Sequence, residues 1–171
     1  DLGFKVKSIE ISKKRILTFN ANLNRLKINS KIINEDFLNA ELKEKFDCIL
    51  IDAPCSGSGL MQKKPEMLVV KKDISSLLVK QKKMLLRASS LVKDGGYIIY
   101  CVCSLLKEEG EKQIANFLDD QKCFSTENFF SDILKFGVVL KSNTFLATPN
   151  SFGQRGGCLL YTSPSPRDGL L

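Results

Sequence analysis

The stretch Asp52-Ala53-Pro54-Cys55-Ser56-Gly57-Ser58-Gly59 sets an acid and a thiol on either side of a short proline turn and follows them with two glycines. Further along, Tyr100-Cys101-Val102-Cys103-Ser104 offers a second place for a reactive thiol. A thiolate is a strong nucleophile near neutral pH when a cation or a helix N-terminus lowers its pKa, and a carboxylate can orient a polar substrate or carry a proton. The chain has no histidine. Ser-His-Asp and Cys-His catalysis, and every zinc site that uses an imidazole, are therefore excluded for this chain alone. A general base here must be a carboxylate, a lysine, a thiolate or water.

Each thiol also has a plainer reading. Buried cysteines often act as small apolar filler, the role expected of Cys48 and Cys101. Cys101 and Cys103 could ligate a metal but lack a second pair to complete four ligands, so no metal is expected. A Cys55–Cys103 disulfide is disfavoured in a reducing compartment. On residue chemistry alone, nucleophile and filler stay level.

The elements that must position these groups follow from periodicity. Phe46 to Ile51 is a short apolar run that reads as a buried strand ending at Asp52, and Tyr97 to Val102 is a second such run ending at Cys103. Between them Lys63-Lys64-Pro65 breaks the chain. Asp73 then opens a long helix with Ile74, Leu77, Leu78, Gln81, Leu85, Ala88 and Leu91 on one face, and Lys93-Asp94-Gly95-Gly96 reads as its glycine stop. Glu108, Glu109 and Glu111 read as the acidic opening of a further helix with Ile114, Phe117 and Leu118 inside, which would place its dipole next to Cys103. Upstream, Val6 to Ile11 and Ser30 to Ile33 read as strands. They flank a helix capped by Ser12 with the stripe Ile16, Phe19, Leu23 and Leu26. Past Phe124 the pattern weakens to short strands near 137–140 and 144–147. Residues 159–171, rich in Ser and Pro, read as a non-native or disordered tail.

Strands alternating with helices predict an α/β, Rossmann-like fold with a mostly parallel sheet. Glu10, Asp36 and Asp52 each stand where a strand stops, the position from which acids meet ribose hydroxyls in such folds. One such acid is ordinarily a solvated loop residue or a cap; three in succession favour a nucleoside ligand. No glycine-rich cofactor loop is present beside the first strand.

Composition sets broader limits. The 171 residues suit a single domain, and 43% hydrophobic with 26% charged residues is ordinary for a globular chain. No run of about 18 apolar residues suggests a membrane span. The formal charge of +7 favours a polyanionic partner such as RNA. Six cysteines are too few for a disulfide scaffold and read as free thiols in a reducing, cytoplasmic setting.

Taken together, Asp52 to Gly59, the helix with Gln81, Lys93 to Tyr100, Cys103-Ser104-Leu105 and Glu108-Glu109-Gly110-Glu111 resemble the RNA (cytosine-5) methyltransferases, the RsmB and Sun/NOP2 group. The match runs from about Val6 to Cys158, and the two cysteine motifs at this spacing are highly specific. The resemblance implies an S-adenosylmethionine-dependent enzyme, acting as a monomer on ribosomal or transfer RNA without metal or membrane. It implies that Cys103 attacks carbon 6 of cytosine and that Cys55 assists product release. Asp52 would meet the base at its ring nitrogen 3 edge, beside the cofactor. Glu10 would take the ribose and Asp36 the adenine.

Three departures stand out: Val102 for the usual Thr, Gly110 for the usual Asn, and divergence after Gly156-Gly157-Cys158. With the first strand and cofactor loop missing, residues 1–158 read as a partial catalytic domain truncated at both ends, expected to bind S-adenosylmethionine weakly or not at all by itself. A submicromolar dissociation constant in calorimetry would overturn that expectation. Two other readings stay open: a non-catalytic RNA-binding relic, and an amino-group methyltransferase, against which Cys55 speaks because that motif carries a second proline there.

Overall fold

The computed structural model describes residues 3–60, 73–127, 138–140, 144–147 and 158–164. It divides into two compact units, Asp1–Lys43 and Glu44–Leu171. The loop around Lys63-Lys64-Pro65 lies outside the described residues.

The first unit is a strand–helix–strand. Strand β1 (Lys7–Ile9) pairs in parallel with β2 (Lys31–Ile33), Ser8 opposite Ile32, and the Glu10 amide donates to the Ile33 carbonyl at 3.0 Å. Both strands are shorter than their sequence patterns. Helix α1 (Lys13–Leu26) links them. Ser12 caps it by accepting from the Arg15 amide, as the sequence predicts, and the helix ends on Lys27 in the left-handed region at φ 55°. The apolar stripe is present but α1 buries no side chain, and Phe19 and Leu26 remain 38% and 53% exposed.

The second unit carries a sheet in the order β3-β4-β7-β6-β5. Strands β3 (Phe46–Asp52) and β4 (Val92–Val102) are parallel and are joined through helix α2 (Ile74–Leu91). Asp73 caps α2 by accepting from the Ser75 amide at 3.1 Å. The predicted face buries Gln81, Leu85, Ala88 and Leu91, while Ile98, Tyr100 and Val102 alternate into the same core from β4. Helix α3 (Glu111–Asp120) adds Ile114 and Phe117, whose ring lies 5.3 Å from that of Phe124.

Four expectations need correction. The glycine pair does not stop α2. The helix ends at Leu91 and passes through extended Val92 straight into β4, and Gly95 and Gly96 lie in an irregularity of that strand. A Cβ on Gly96 would stand 2.7 Å from the Asp47 carbonyl and 2.8 Å from Val92 Cγ2, so the glycine permits close strand approach and is not a helix cap. Second, α3 begins at Glu111. Glu108 and Glu109 belong to the preceding turn, and seven residues separate Cys103 from the helix.

The third correction concerns the end of the chain. Residues 158–164, whose greater part reads as tail, form β7 (Cys158–Pro164), antiparallel to β4 and to β6 (Thr144–Ala147). β6 in turn pairs with β5 (Val138–Leu140), two strands the sequence does suggest. The Ser-Pro composition hid β7 because its ordering comes from ladders on both sides, formed with residues far away in sequence. Fourth, Cys48 is exposed and is not core filler.

Candidate active site

The two cysteine loops leave the C-terminal ends of adjacent parallel strands, where an α/β sheet opens to ligands. Asp52 is the last residue of β3 and is exposed. Cys55 follows in the loop and Cys103 in the bend after β4, both partly exposed. Backbone bonds fasten loop to loop: the Ala53 amide donates to the Cys101 carbonyl at 2.9 Å and the Gly59 amide to the Cys103 carbonyl at 3.1 Å. Gly57 turns the first loop at φ 76°, a conformation that favours glycine.

Side chains complete the seam. The Ser104 hydroxyl is fully buried and lies 3.2 Å from the Ser56 hydroxyl and 3.0 Å from that of Ser58. Ser58 accepts from the Leu105 amide at 2.9 Å, and Ser104 accepts from the Leu106 amide at 3.1 Å. Beneath them lies Glu109, also fully buried. Its Oε1 accepts from the Ser56 amide at 2.8 Å and from Gln81 Nε2 at 3.1 Å, and its Oε2 accepts from the Ser56 hydroxyl at 2.5 Å. Gln81 Nε2 also donates to the Pro54 carbonyl at 2.9 Å. Gln113 Nε2 in turn donates to Gln81 Oε1 at 3.2 Å and to the Leu78 carbonyl at 2.7 Å. The Tyr100 hydroxyl donates to the Glu109 carbonyl at 2.9 Å.

This environment acts on Cys55. Burial pushes its thiol above the ordinary range. Backbone amides of Gly57 and Cys103 pull the other way, and the charges of Glu109 and of a Cys103 thiolate push it further up. The described cysteines are free thiols. Among the described residues no group of three or more Cys, Asp or Glu side chains is placed to hold a metal ion, and no helix is long and apolar enough to cross a membrane.

The remaining predicted residues lie in the first unit. Glu10 follows β1. Its Oε1 accepts from the Ser12 amide at 2.8 Å and its Oε2 from Arg15 Nη1 at 3.5 Å, while Asn34 Nδ2 donates to its carbonyl at 2.9 Å. Asp36 follows β2 and closes a turn, with Oδ1 accepting from the Leu38 amide at 3.0 Å and its carbonyl from the Asn39 and Ala40 amides. The two acids thus stand at the same end of one parallel pair, an acceptor set suited to hydroxyls and an amino group. A surface hollow of about 500 Å³ beside α1, lined by Ser12, Lys14, Arg15, Thr18, Phe19 and Asn22, includes neither acid.

Both thiols and Asp52 stand out in the sequence as strand-end candidates, whereas Glu109, Ser56 and Ser104 emerge only from the bonds of this seam. A usable clue was Gln81, a polar residue on the apolar face of α2. Buried amides require partners, and this one finds Glu109.

Comparison with known proteins bears out the resemblance read from the cysteine motifs. The family model described as 16S rRNA methyltransferase RsmB/F matches residues 3–151. Ribosomal RNA small subunit methyltransferase B of Proteus mirabilis is 35% identical over 122 residues, which make up 68% of this chain and 29% of that protein. The crystal structure of PH0851 superposes with a TM-score of 0.83 at 29% identity, covering 93% of this chain and 36% of that one. NSun6 from Pyrococcus horikoshii superposes with a TM-score of 0.80 over 96% of this chain and 42% of that one; at 23% identity it shows the fold alone. The chain thus spans under a third of the length of the curated relative it matches. With the family model covering most of the chain, this protein belongs to the 16S rRNA methyltransferase RsmB/F family.

Proposed function

We propose that the chain carries the catalytic centre of an RNA (cytosine-5) methyltransferase that acts on ribosomal RNA in the cytoplasm with S-adenosylmethionine as methyl donor. The observation that carries this reading is the seam between the two cysteine loops, which sets Cys55 beside Cys103 at the ends of paired parallel strands.

Carbon 5 of cytosine is a poor nucleophile until the ring is saturated at carbon 6. The Cys103 thiolate forms a bond to carbon 6, and the electron pair of the 5,6 double bond moves into the ring toward carbon 5 and nitrogen 3. Asp52, exposed at the end of β3, faces the nitrogen 3 edge and, as its carboxylic acid, donates a proton toward nitrogen 3 as charge builds there, taking it back when the double bond re-forms. When bound, S-adenosylmethionine would supply the methyl group that carbon 5 accepts, its methyl–sulfur bond breaking to leave S-adenosylhomocysteine. A base then takes the proton from carbon 5, the double bond re-forms, and the sulfur–carbon 6 bond breaks to return the Cys103 thiolate. Cys55 assists this release. Its raised pKa keeps it protonated at neutral pH, so it does not compete with Cys103 for carbon 6. Glu10 and Asp36, at the ends of β1 and β2, are assigned to the ribose and adenine of the donor.

The test uses the intact protein and an RNA substrate with labelled S-adenosylmethionine. Cys103→Ala is expected to abolish methyl transfer. Cys55→Ala is expected to retain the first bond and accumulate an RNA–protein adduct that resists denaturing electrophoresis. Absence of any adduct in Cys55→Ala, with transfer intact in Cys103→Ala, overturns the two-cysteine mechanism.

A further inference from the structure

We propose that Glu109 is a positioning residue for the two-cysteine centre: its buried carboxylate fixes the Cys55 loop through Ser56 and ties it, through Gln81 and the Ser104 hydroxyl, to the loop that carries Cys103. The proposal rests on the function given above for those thiols, but its geometry stands apart from it.

Glu109 is fully buried, and among the described residues its carboxylate is bonded by the Ser56 amide and hydroxyl and by Gln81. A carboxylate in such a place is costly unless each oxygen is well bonded, so a residue serving only to fill space would more economically be apolar. Its bonds are also selective. Oε1 holds the amide of Ser56, the residue directly after Cys55, and Oε2 holds the Ser56 hydroxyl, which itself meets Ser104, the residue directly after Cys103. One carboxylate therefore holds the backbone beside Cys55 directly and reaches the residue after Cys103 through the Ser56 hydroxyl. Gln81 clamps Pro54, the residue before Cys55, to the same oxygen, and the Tyr100 hydroxyl fixes the Glu109 backbone to β4. Loops that must hold two sulfurs within a fraction of an ångström of a productive arrangement need this kind of support.

Its negative charge near Cys55 adds a smaller effect beside burial, favouring the protonated thiol there. Glu109 itself touches neither sulfur's target. It acts through Ser56.

The test compares Glu109→Gln with the unaltered chain. Glutamine keeps the shape but replaces one acceptor oxygen by an NH2 group, so either the Ser56 hydroxyl or the Ser56 amide and Gln81 lose their acceptor. Iodoacetamide labelling, followed thiol by thiol by mass spectrometry, reads the positioning without any need for catalysis, and exposed Cys123 is the internal reference. In folded Glu109→Gln the labelling rate of Cys55 relative to Cys123 is expected to rise about threefold or more at pH 8, because the loop that Ser56 anchors loosens around the thiol. An unchanged ratio overturns the proposal. In the intact protein the same variant is expected to lower kcat about tenfold with KM for RNA changed less than about twofold, the pattern of lost alignment and not of lost binding. Equal loss in both constants overturns it as well. Should Glu109→Gln fail to fold, Ser56→Ala carries the labelling test, with about a twofold rise expected and no change overturning the proposal. If the labelling ratio shifts while the unaltered intact protein transfers no methyl group, Glu109 still positions the thiols and the proposed function is what fails.

Discussion

Two carboxylates, Glu10 and Glu109, follow strands in the two units of this chain and are used in opposite ways. Glu10 is served by its own neighbourhood: the Ser12 amide two residues on and the Arg15 guanidinium five residues on, with its side chain 27% exposed and that of Arg15 78% exposed. Glu109 is fully buried and is bonded by Gln81 and Ser56, residues far away in sequence. The first arrangement could be relaxed by a shift of one side chain into water. The second can only be relaxed by parting the two cysteine loops. Local bonds of the first kind orient a strand-end acid at small cost, whereas long-range bonds of the second kind convert a loop into a fixed surface.

The core shows the same contrast and should break it most visibly. Leu85 is 1% exposed beneath β4, so Leu85→Ala is expected to destabilise the second unit by about 2–5 kcal/mol in denaturant unfolding. Phe19 on α1, which buries no side chain, should cost less than about 1 kcal/mol when changed to Ala. Equal effects would mean that the open face of α1 is covered in solution.

Next in size is the carboxylate pair itself. Glu109→Ala takes the acceptor away from the half-buried Ser56 amide and hydroxyl and one of two acceptors from Gln81 Nε2, at about 1–3 kcal/mol for each lost bond. Glu10→Ala removes an exposed ion pair and one local cap, so about 1 kcal/mol or less is expected. Thermal melts of the two variants side by side would read the difference, and a larger loss for Glu10 would invert the comparison.

The same contrast explains what the sequence made legible. Ser12 and Asp73 cap the helices the sequence predicts, and Phe46 to Ile51 with Tyr97 to Val102 are the paired strands it predicts, because caps and apolar periodicity are local signals. Both thiols and Asp52 were legible as residue types at strand ends. Glu109 was visible only as one acid in a run before a helix, since nothing local distinguishes it from solvated Glu108, whose partner is Lys112 one turn on. Strand β7 stayed hidden for the same reason: Tyr161 faces Tyr100 on one side and Thr144 on the other, and neither partner is near it in sequence. The Gly95-Gly96 pair has the composition of a helix stop, and only the Asp47 carbonyl lying across the strand shows what it is for. Gly96→Ala should accordingly cost about 1–3 kcal/mol by overpacking the β3–β4 contact, where a mere helix terminus would lose far less.

The smallest expected effect sharpens the comparison between buried and exposed groups by using pH. Burial raises the Cys55 thiol above its ordinary value, so in the window between the unfolded and folded pKa values the folded chain keeps a proton that the unfolded chain has lost. Stability from this source is fully present below the ordinary thiol pKa of about 8.5 and is lost as pH rises through the folded value. Cys55→Ala lacks that dependence. Its melting temperature relative to the unaltered chain should therefore climb between about pH 7 and pH 10, by a degree or two given the partial exposure of the thiol. If Cys55→Ala shows no such climb, the loop around Cys55 is open to water in solution, and the hold of Glu109 on that loop would be weaker than its bonds imply.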